Sequence, residues 1–250
     1  MSTTNLILLI LLFFITSAVG VVTGSNSLIT VPVMFQFGID PKVAVATNMF
    51  GLTFMAIGAT IPFLKQKTID RRRVTPLILL TLAGSTIGAV LVGFITGNAL
   101  KIVVSVSMIA VTIFTLLKRN AGVEKIENVS KGTLFFSYVL TFFLAIYGGL
   151  YSGGYVTLLT ATCIAFLGMT FTEAVASTKL INVFSSLAAT IIFMRQGLVD
   201  YKLGAILAVV MFTGAYIGAK TVTRLNDLWL RRIFLATVVI LAVKTIFDFI

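Results

Sequence analysis

Residues 44–48 read AVATN, and residues 174–178, which lie 130 positions further along the chain, read AVAST. The same shift, which we call the repeat shift, aligns glycine and polar positions in the two parts of the chain without a gap. Apolar composition alone would not place Gln, Asp and Gly in register, so we interpret the chain as two tandem homologous repeats. The matched pairs include Gly24/Gly154, Thr30/Thr160, Gly38/Gly168, Gln66/Gln196, Asp70/Asp200, Gly84/Gly214 and Gly88/Gly218.

Each half has the same layout of apolar runs. A first run meets a polar break rich in small residues, a short run follows, and three longer runs complete the half. The short runs, at residues 28–37 and 156–167, cannot span ~30 Å of hydrocarbon unaided as helices, and the sequence leaves open whether they cross or re-enter. The other runs are residues 6–22, 43–64, 76–97 and 100–117, then 134–149, 174–194, 203–222 and 233–246.

The composition places the protein in a bilayer. Apolar residues make up 58% of the 250 residues and charged residues only 11%, whereas soluble domains have about 45–50% and 25%. We therefore predict an all-α integral membrane protein with roughly eight to ten transmembrane segments. The predicted domains are a first transmembrane repeat (residues 1–117), a cytoplasmic linker (118–131) and a second transmembrane repeat (132–250).

The basic residues carry information about orientation. The net charge is +11, but Lys and Arg fall mostly in short gaps between apolar runs, which indicates topology rather than nucleic-acid binding. With five crossings per half, the second half is inverted and 13 Lys and Arg face one side against 4 on the other. Four crossings per half give 11 against 6. The positive-inside rule favours inversion, and both versions place the Arg71-Arg72-Arg73 loop in the cytoplasm, as expected for a multi-pass protein of the cell (inner) membrane.

The polar breaks are the first candidate binding elements. Non-helical backbone inside a bilayer is costly unless it lines a cavity or is buried in protein, and matching discontinuous helices in two halves point to a transporter's binding site. The N-terminus of the short helix after each break suits an anion. The alternative is that the small residues only allow close helix packing. The candidate residues are Gly24, Ser25, Asn26 and Ser27, with Tyr151, Ser152, Gly153 and Gly154.

The second candidate element follows each AVA segment. It comprises Thr47 and Asn48 in the first half and Ser177 and Thr178 in the second, whose side chains would donate to a bound oxyanion or bond back to their own helix. Lys179 comes next, whereas the repeat has Met49 at that place.

An ionisable residue inside a span is a functional hypothesis by default, and a substrate anion is the natural counter-charge of Lys179, with Asn182 on nearly the same face. The alternatives are snorkelling and a structural pair with Glu173. Glu173 itself is a candidate for proton coupling, although its place at a helix start fits the helix dipole equally well.

Several functions are disfavoured by what the sequence lacks. It has no His, and its one cysteine, Cys163, lies in an apolar run. We predict no catalytic group, metal site or cofactor, so a membrane-embedded enzyme is the least favoured reading. Lys244 and Asp248 are interpreted as an interfacial ion pair.

These features together resemble one known family. The paired small-residue breaks, the segments AVATN (residues 44–48) and AVASTKLIN (174–182), and the half-chain duplication are similar to the TauE/SafE sulfite exporter family, also called toluene-sulfonate uptake permeases, over nearly the whole chain. The resemblance implies transport of sulfite, sulfoacetate or related sulfonates. Residues 24–27 read GSNS where the family tends to have a run of glycines, so side chains here would narrow the pocket or add donors.

The expected function is therefore secondary transport of a small oxyanion, with a site between the two repeats near mid-membrane. An anion channel with the same site is the alternative. The expected partners are the anionic substrate and the lipid bilayer, with no nucleic acid. Transport direction, coupling ion and oligomeric state are left open, with a homodimer among the alternatives.

Overall fold

The computed structural model describes residues 3–24, 26–106 and 129–224, and every structural statement here concerns those residues. They form nine helices and no strand. The helices are α1 (Thr3–Thr23), α2 (Asn26–Gln36), α3 (Pro41–Lys65), α4 (Arg71–Phe94), α5 (described over Gly97–Val106), α6 (Lys131–Leu150), α7 (Tyr155–Leu167), α8 (Phe171–Arg195) and α9 (Tyr201–Val222).

Six of these helices are long and apolar enough to cross a membrane: α1, α3, α4, α6, α8 and α9. Large apolar side chains cover their outer faces, and Leu79 on α4 is 64% exposed. Such a surface suits lipid, while buried Ser, Thr and Asn side chains occupy the interior. The predicted all-α membrane architecture is confirmed. The predicted runs at residues 107–117 and 233–246, and the pair Lys244/Asp248, lie outside the described residues.

Helix bounds and turns recur at the repeat shift. Helix α3 begins at Pro41 and ends at Lys65, and α8 begins at Phe171 and ends at Arg195. Gly24 and Gly154, at the two breaks, both have positive φ, at +67° and +79°, a conformation that glycine adopts without steric cost. The duplication and its inversion stay predictions, and these bounds are consistent with them.

The two predicted halves are interleaved through close helix contacts. On α4, Gly84 lies against Phe142 and Ala145 of α6, and a Cβ on Gly88 would collide with the Ile146 carbonyl. On α9, Gly214 and Gly218 lie in the same way against Phe14, Ser17 and Ala18 of α1. In both pairs the helices run in the same direction. The small-x3-small motifs thus have the packing role that such motifs usually have.

The short helix α7 folds back along α6. At its start the Tyr155 ring lies against Gly148, near the end of α6. At its end the Phe166 ring lies 5.2 Å from the ring of Phe136, near the start of α6. Helix α7 is therefore antiparallel to α6 over most of its length, and the second break is the turn of this hairpin.

One predicted boundary is wrong. The sequence placed Arg71-Arg72-Arg73 in a loop, but these residues form the first turn of α4. The helix begins early because the Asp70 carboxylate caps it, accepting from the Arg72 N–H at 3.0 Å. Arg73 lies 3.5 Å from the same carboxylate and donates to the Leu167 carbonyl at 3.3 Å, which ties α4 to the end of α7.

Candidate functional site

A small cavity lies where the two breaks meet α3 and α8. The predicted site residues that line it are Gly24, Asn26, Ser27, Ser152, Lys179 and Asn182, together with Gly20, Leu52, Met55, Ala56 and Val156. Both short helices begin at this cavity, α2 with Asn26 and α7 beside Val156. The first-turn N–H groups of two helices and their positive dipole ends are therefore close to one point, an arrangement that suits an anion.

The two breaks touch each other directly. A Cβ on Gly24 would lie 2.7 Å from the Thr157 backbone nitrogen, so only glycine allows this approach. The Thr157 hydroxyl donates to the Thr23 carbonyl at 2.6 Å. The Tyr151 hydroxyl donates to the Ser27 carbonyl at 2.9 Å. The Thr23 carbonyl, freed at the end of α1, is thus satisfied by a side chain of α7, which removes part of the cost of non-helical backbone in a membrane.

Hydroxyl and amide side chains form a buried network at the start of α2. The Ser27 and Ser152 hydroxyls lie 2.7 Å apart, which joins the two breaks. The Asn48 amide donates to the Ser27 hydroxyl at 2.9 Å and accepts from Thr30 at 2.9 Å. The Asn26 amide donates to the Ser17 hydroxyl at 2.9 Å. This network fixes the orientation of Ser27 and Asn26 in the cavity wall.

Lys179 supplies the charge of the cavity. Its side chain is 3% exposed, and its ammonium donates to the Gly20 carbonyl at 2.9 Å. That carbonyl also accepts from the Gly24 N–H at 2.9 Å. An ammonium has three donors, and Gly20 is its one partner among the described residues. The alternative pair with Glu173 is therefore not formed, and a buried ammonium without a carboxylate favours an anionic ligand.

Asn182 lies one turn beyond Lys179 on α8 and also lines the cavity. Its side chain is 6% exposed, and its amide has no hydrogen-bond partner in the described part of the chain. The opposite wall is apolar and consists of Leu52, Met55 and Ala56 of α3. The cavity thus has one polar and one apolar side.

The cavity is closed to an oxyanion by its size alone, because its volume is about 10 Å³, which is close to the minimum needed for a single water molecule. An oxyanion enters only if the surrounding helices separate.

The remaining predicted site residues support the frame and do not line the cavity. The Thr47 hydroxyl accepts from the Asp200 N–H at 3.0 Å, at the start of α9. The Thr178 hydroxyl pairs with that of Thr160 at 3.1 Å. Gly153 lies against the Tyr151 ring and accepts from the Tyr147 hydroxyl. Asn48, Gly154 and Ser177 are also outside the lining, and Ser25 lies outside the described residues.

Glu173 takes part in a capping box at the start of α8. Its N–H donates to the Thr170 hydroxyl at 3.2 Å, and its carboxylate accepts from the Thr170 N–H at 3.1 Å. The helix-start explanation of Glu173 accounts for these contacts, and proton coupling stays a prediction.

The sequence did not place Gly20 or the apolar wall in the candidate site. Gly20 acts through its backbone carbonyl, which carries no side-chain signal. Leu52, Met55 and Ala56 are ordinary apolar residues of a span. One signal was available: Leu52 is the repeat position of Asn182, so the repeat shift would have drawn attention to it.

The fold and the cavity define a class of protein. Helices that cross a membrane, broken at a buried and charged cavity, are typical of membrane transporters. The family model described as "Sulfite exporter TauE/SafE" matches residues 9–245. The chain belongs to this family of membrane transporters.

Relatives with similar sequences carry matching names. The "Probable membrane transporter protein" of Haemophilus influenzae is 24% identical over 235 residues, covering 94% of this chain and 92% of the relative. "Probable membrane transporter protein YfcA" of Escherichia coli K12 is 25% identical over 245 residues, covering 97% and 91%. "Probable membrane transporter protein ORF9" of a Sinorhizobium species is 27% identical over 208 residues, covering 83% and 79%. No solved structure matches the chain.

Proposed function

We propose that this membrane transporter is a secondary carrier of a small oxyanion, with sulfite, sulfoacetate and related sulfonates as the first candidates. The observation that carries the proposal is Lys179, a buried ammonium at the meeting point of two broken helices. It has no carboxylate partner among the described residues, so a bound anion completes its charge balance. The family description, which names sulfite, supports the sulfur-based candidates.

The donors around the cavity suit an oxyanion. Ser27 and Ser152 hydroxyls, the Asn26 and Asn182 amides and the Lys179 ammonium all belong to its wall. The first-turn N–H groups of α2 and α7 add positive dipole ends. Several donors arranged around one point match the several acceptor oxygens of a sulfite or sulfonate group.

The small size of the cavity favours a carrier over an open pore. We assign transport to a rocking of one repeat, residues 1–117, against the other, residues 132–250; the 118–131 linker joins them. In the alternative, an anion channel, the same residues form a filter. Counterflow separates the two: a carrier accelerates uptake of labelled anion when unlabelled anion is loaded inside, whereas a channel shows no such acceleration.

The central experiment replaces Lys179 by methionine, the residue that the repeat shift places at the equivalent position, Met49. We expect sulfite or sulfonate flux into proteoliposomes to fall by roughly 10- to 100-fold in Lys179→Met, because hydrogen bonds to charged groups contribute about 1.5–3 kcal/mol. Anion binding, followed by thermal shift across sulfite, sulfate, sulfonates and carboxylates, should weaken in parallel.

Lys42→Met is the matched control. Lys42 also donates to a backbone carbonyl, that of Gly93 at 3.1 Å, but it lies outside the cavity. The control loses the same charge and the same kind of hydrogen bond, so its flux should stay near that of the wild type. Normal flux in a folded Lys179→Met protein would overturn the role of Lys179.

We further propose that the chain lies in the cell (inner) membrane with the start of α4 in the cytoplasm. Arg72→Cys, in a Cys163→Ser background, should resist a membrane-impermeant thiol reagent added outside intact cells and react after permeabilisation. Labelling without permeabilisation would show that the orientation is the reverse of the proposed one. The proposal for the anion site would not be affected.

A further inference from the structure

A second group of buried polar side chains lies outside the cavity. It consists of Thr81 and Ser85 on α4, Tyr155 on α7 and Ser185 on α8, and we call it the hydroxyl cluster. All four side chains are buried. The Ser85 and Ser185 hydroxyls lie 2.5 Å apart and join α4 to α8.

The cluster has hydrogen-bonding capacity that the described residues do not use. The Tyr155 hydroxyl is fully buried beside the Thr81 and Ser185 side chains. Nevertheless, it makes no well-aligned hydrogen bond within the described part of the chain. Such a group is costly in a membrane interior unless a water or a ligand satisfies it at some stage.

A polar stripe on α8 connects the cavity to the cluster. Lys179, Asn182 and Ser186 are spaced i, i+3 and i+7, so they lie on one face of the helix, and Ser185 is next to that face. The Ser186 hydroxyl donates to the Asn182 carbonyl at 2.6 Å. The stripe leads about 10 Å from Lys179 toward the end of α8.

The direction of the stripe is defined by neighbouring contacts. Gln196, which follows α8, donates to the Ala89 carbonyl of α4 at 3.3 Å. The ends of α4 and α8 are therefore on the same side of the membrane. On the proposed topology this is the side opposite to the Arg71 end of α4.

The equivalent positions of three of the four members are apolar, and that of Tyr155 is Ser25, which lies outside the described residues. The repeat shift relates Thr81 to Met211, Ser85 to Ala215 and Ser185 to Met55. Packing of the frame thus does not require hydroxyl groups at these places. Three of the four hydroxyls of the cluster therefore have no polar counterpart in the other half.

We propose that the hydroxyl cluster is a second binding station for the transported anion, between the cavity and the side of the membrane where α4 and α8 end. This inference rests on the proposed function and adds the route by which the anion leaves or enters the cavity. When α4 and α8 separate, the four hydroxyls donate to the anion's oxygens, and the Ser85–Ser185 bond is replaced by bonds to the ligand.

The competing explanation is that the hydroxyls only hold helices together, as interhelical hydrogen bonds do in membranes. The chain offers a matched control for it. Thr160 on α7 and Thr178 on α8 form a buried interhelical hydroxyl pair at 3.1 Å, and Thr178 precedes Lys179, whereas the stripe leads from Lys179 toward the end of α8. Thr160→Val removes this pair and tests helix packing without touching the route.

The test compares Ser85→Ala/Ser185→Ala with Thr160→Val in proteoliposomes. We expect the serine variant to bind sulfite or a sulfonate within about twofold of the wild-type affinity while its maximal flux falls by about tenfold or more. The threonine variant should keep both affinity and flux. Equal flux losses in the two variants, or full flux in the serine variant, would contradict the proposal of a second binding station.

A second measurement covers the case of a serine variant that does not fold. Ser185→Cys, in the Cys163→Ser background, should react with a small anionic thiosulfonate reagent added on the side where α4 and α8 end, and substrate should protect it. Absence of reaction from that side contradicts the route. The proposed function fails in a different way: Lys179→Met would then keep both binding and flux, whatever the serine variants do.

Discussion

Helices α3 and α8 form opposite walls of the cavity and have the same length and the same place in their halves, yet their inner faces differ. Where α8 has Lys179 and Asn182, the positions related by the repeat shift on α3 are Met49 and Leu52. The first and last residues of the two helices correspond at the repeat shift, so the helical frame tolerates either a polar or an apolar inner face. The difference teaches that backbone architecture and chemistry are separable here: one wall supplies charge and donors, and the other supplies apolar surface.

The largest effect on stability is expected when a lysine is placed on α3 instead of α8. Met49 is 2% exposed and does not line the cavity, so Met49→Lys buries an ammonium without a partner. We expect it to destabilise the protein by about 3 kcal/mol, the cost of a charged residue at the centre of a span. Thermal unfolding in detergent measures this, with Met49→Leu as the control. Wild-type stability in Met49→Lys would show that α3 can accept a charge as α8 does.

The next largest effect on stability tests whether the two halves depend equally on their glycine contacts between helices. Gly88→Ala and Gly218→Ala each place a Cβ against a carbonyl of the facing helix, that of Ile146 or Ala18. Each should destabilise the protein by about 1–3 kcal/mol, the usual cost of overpacking. Gly132→Ala, where the nearest atom is 4.0 Å away, should be neutral or stabilising. A large loss at only one of the two helix pairs would show that the halves do not depend equally on these contacts.

A smaller effect concerns the polar wall itself. Asn182→Leu gives α8 the residue of α3 at this place and removes an amide with no partner among the described residues. Affinity for sulfite or a sulfonate should fall about tenfold, equivalent to about 1.4 kcal/mol, while stability stays unchanged or rises. Isothermal titration measures the affinity. If Asn182→Leu binds as tightly as the wild type, Lys179 acts without its neighbour.

The smallest effect compares two hydroxyl contacts at equivalent positions. Thr30 donates to Asn48 and Thr160 pairs with Thr178. Each contact should contribute about 0.6 kcal/mol, the average for interhelical hydrogen bonds in a membrane. Thr30→Val should also weaken anion binding, because Asn48 orients Ser27 in the cavity wall. Thr160→Val should leave affinity unchanged, and equal affinity losses in both variants would contradict this difference.

The sequence predicted much of the frame from local signals. Apolar runs with polar gaps gave the long helices to within a few residues, except where Asp70 extended α4 to include its arginines. The paired breaks were predicted because Gly24 and Gly154 recur in register. Lys179 was identified since a charge inside an apolar run is unusual wherever the chain folds.

The partners of these residues were not predictable in the same way. Thr47 and Asn48 adjoin in sequence, but a helix turns their side chains apart, so Asn48 bonds to Ser27 and Thr47 to the start of α9. The Ser85–Ser185 pair joins positions on two helices that are far apart in the chain. No local pattern marks such a contact.

The sequence by itself determined that the chain is a membrane protein with a repeated pattern, two polar breaks and one charge inside an apolar run, because hydropathy, periodicity and a lone lysine are properties of single segments. Only the tertiary structure decided that the two breaks meet, that the Gly20 carbonyl holds the Lys179 ammonium, and that α3 offers an apolar wall to a polar one. The physical reason is that these features depend on which helix faces pack together, and that is set by glycine contacts between α4 and α6 and between α9 and α1.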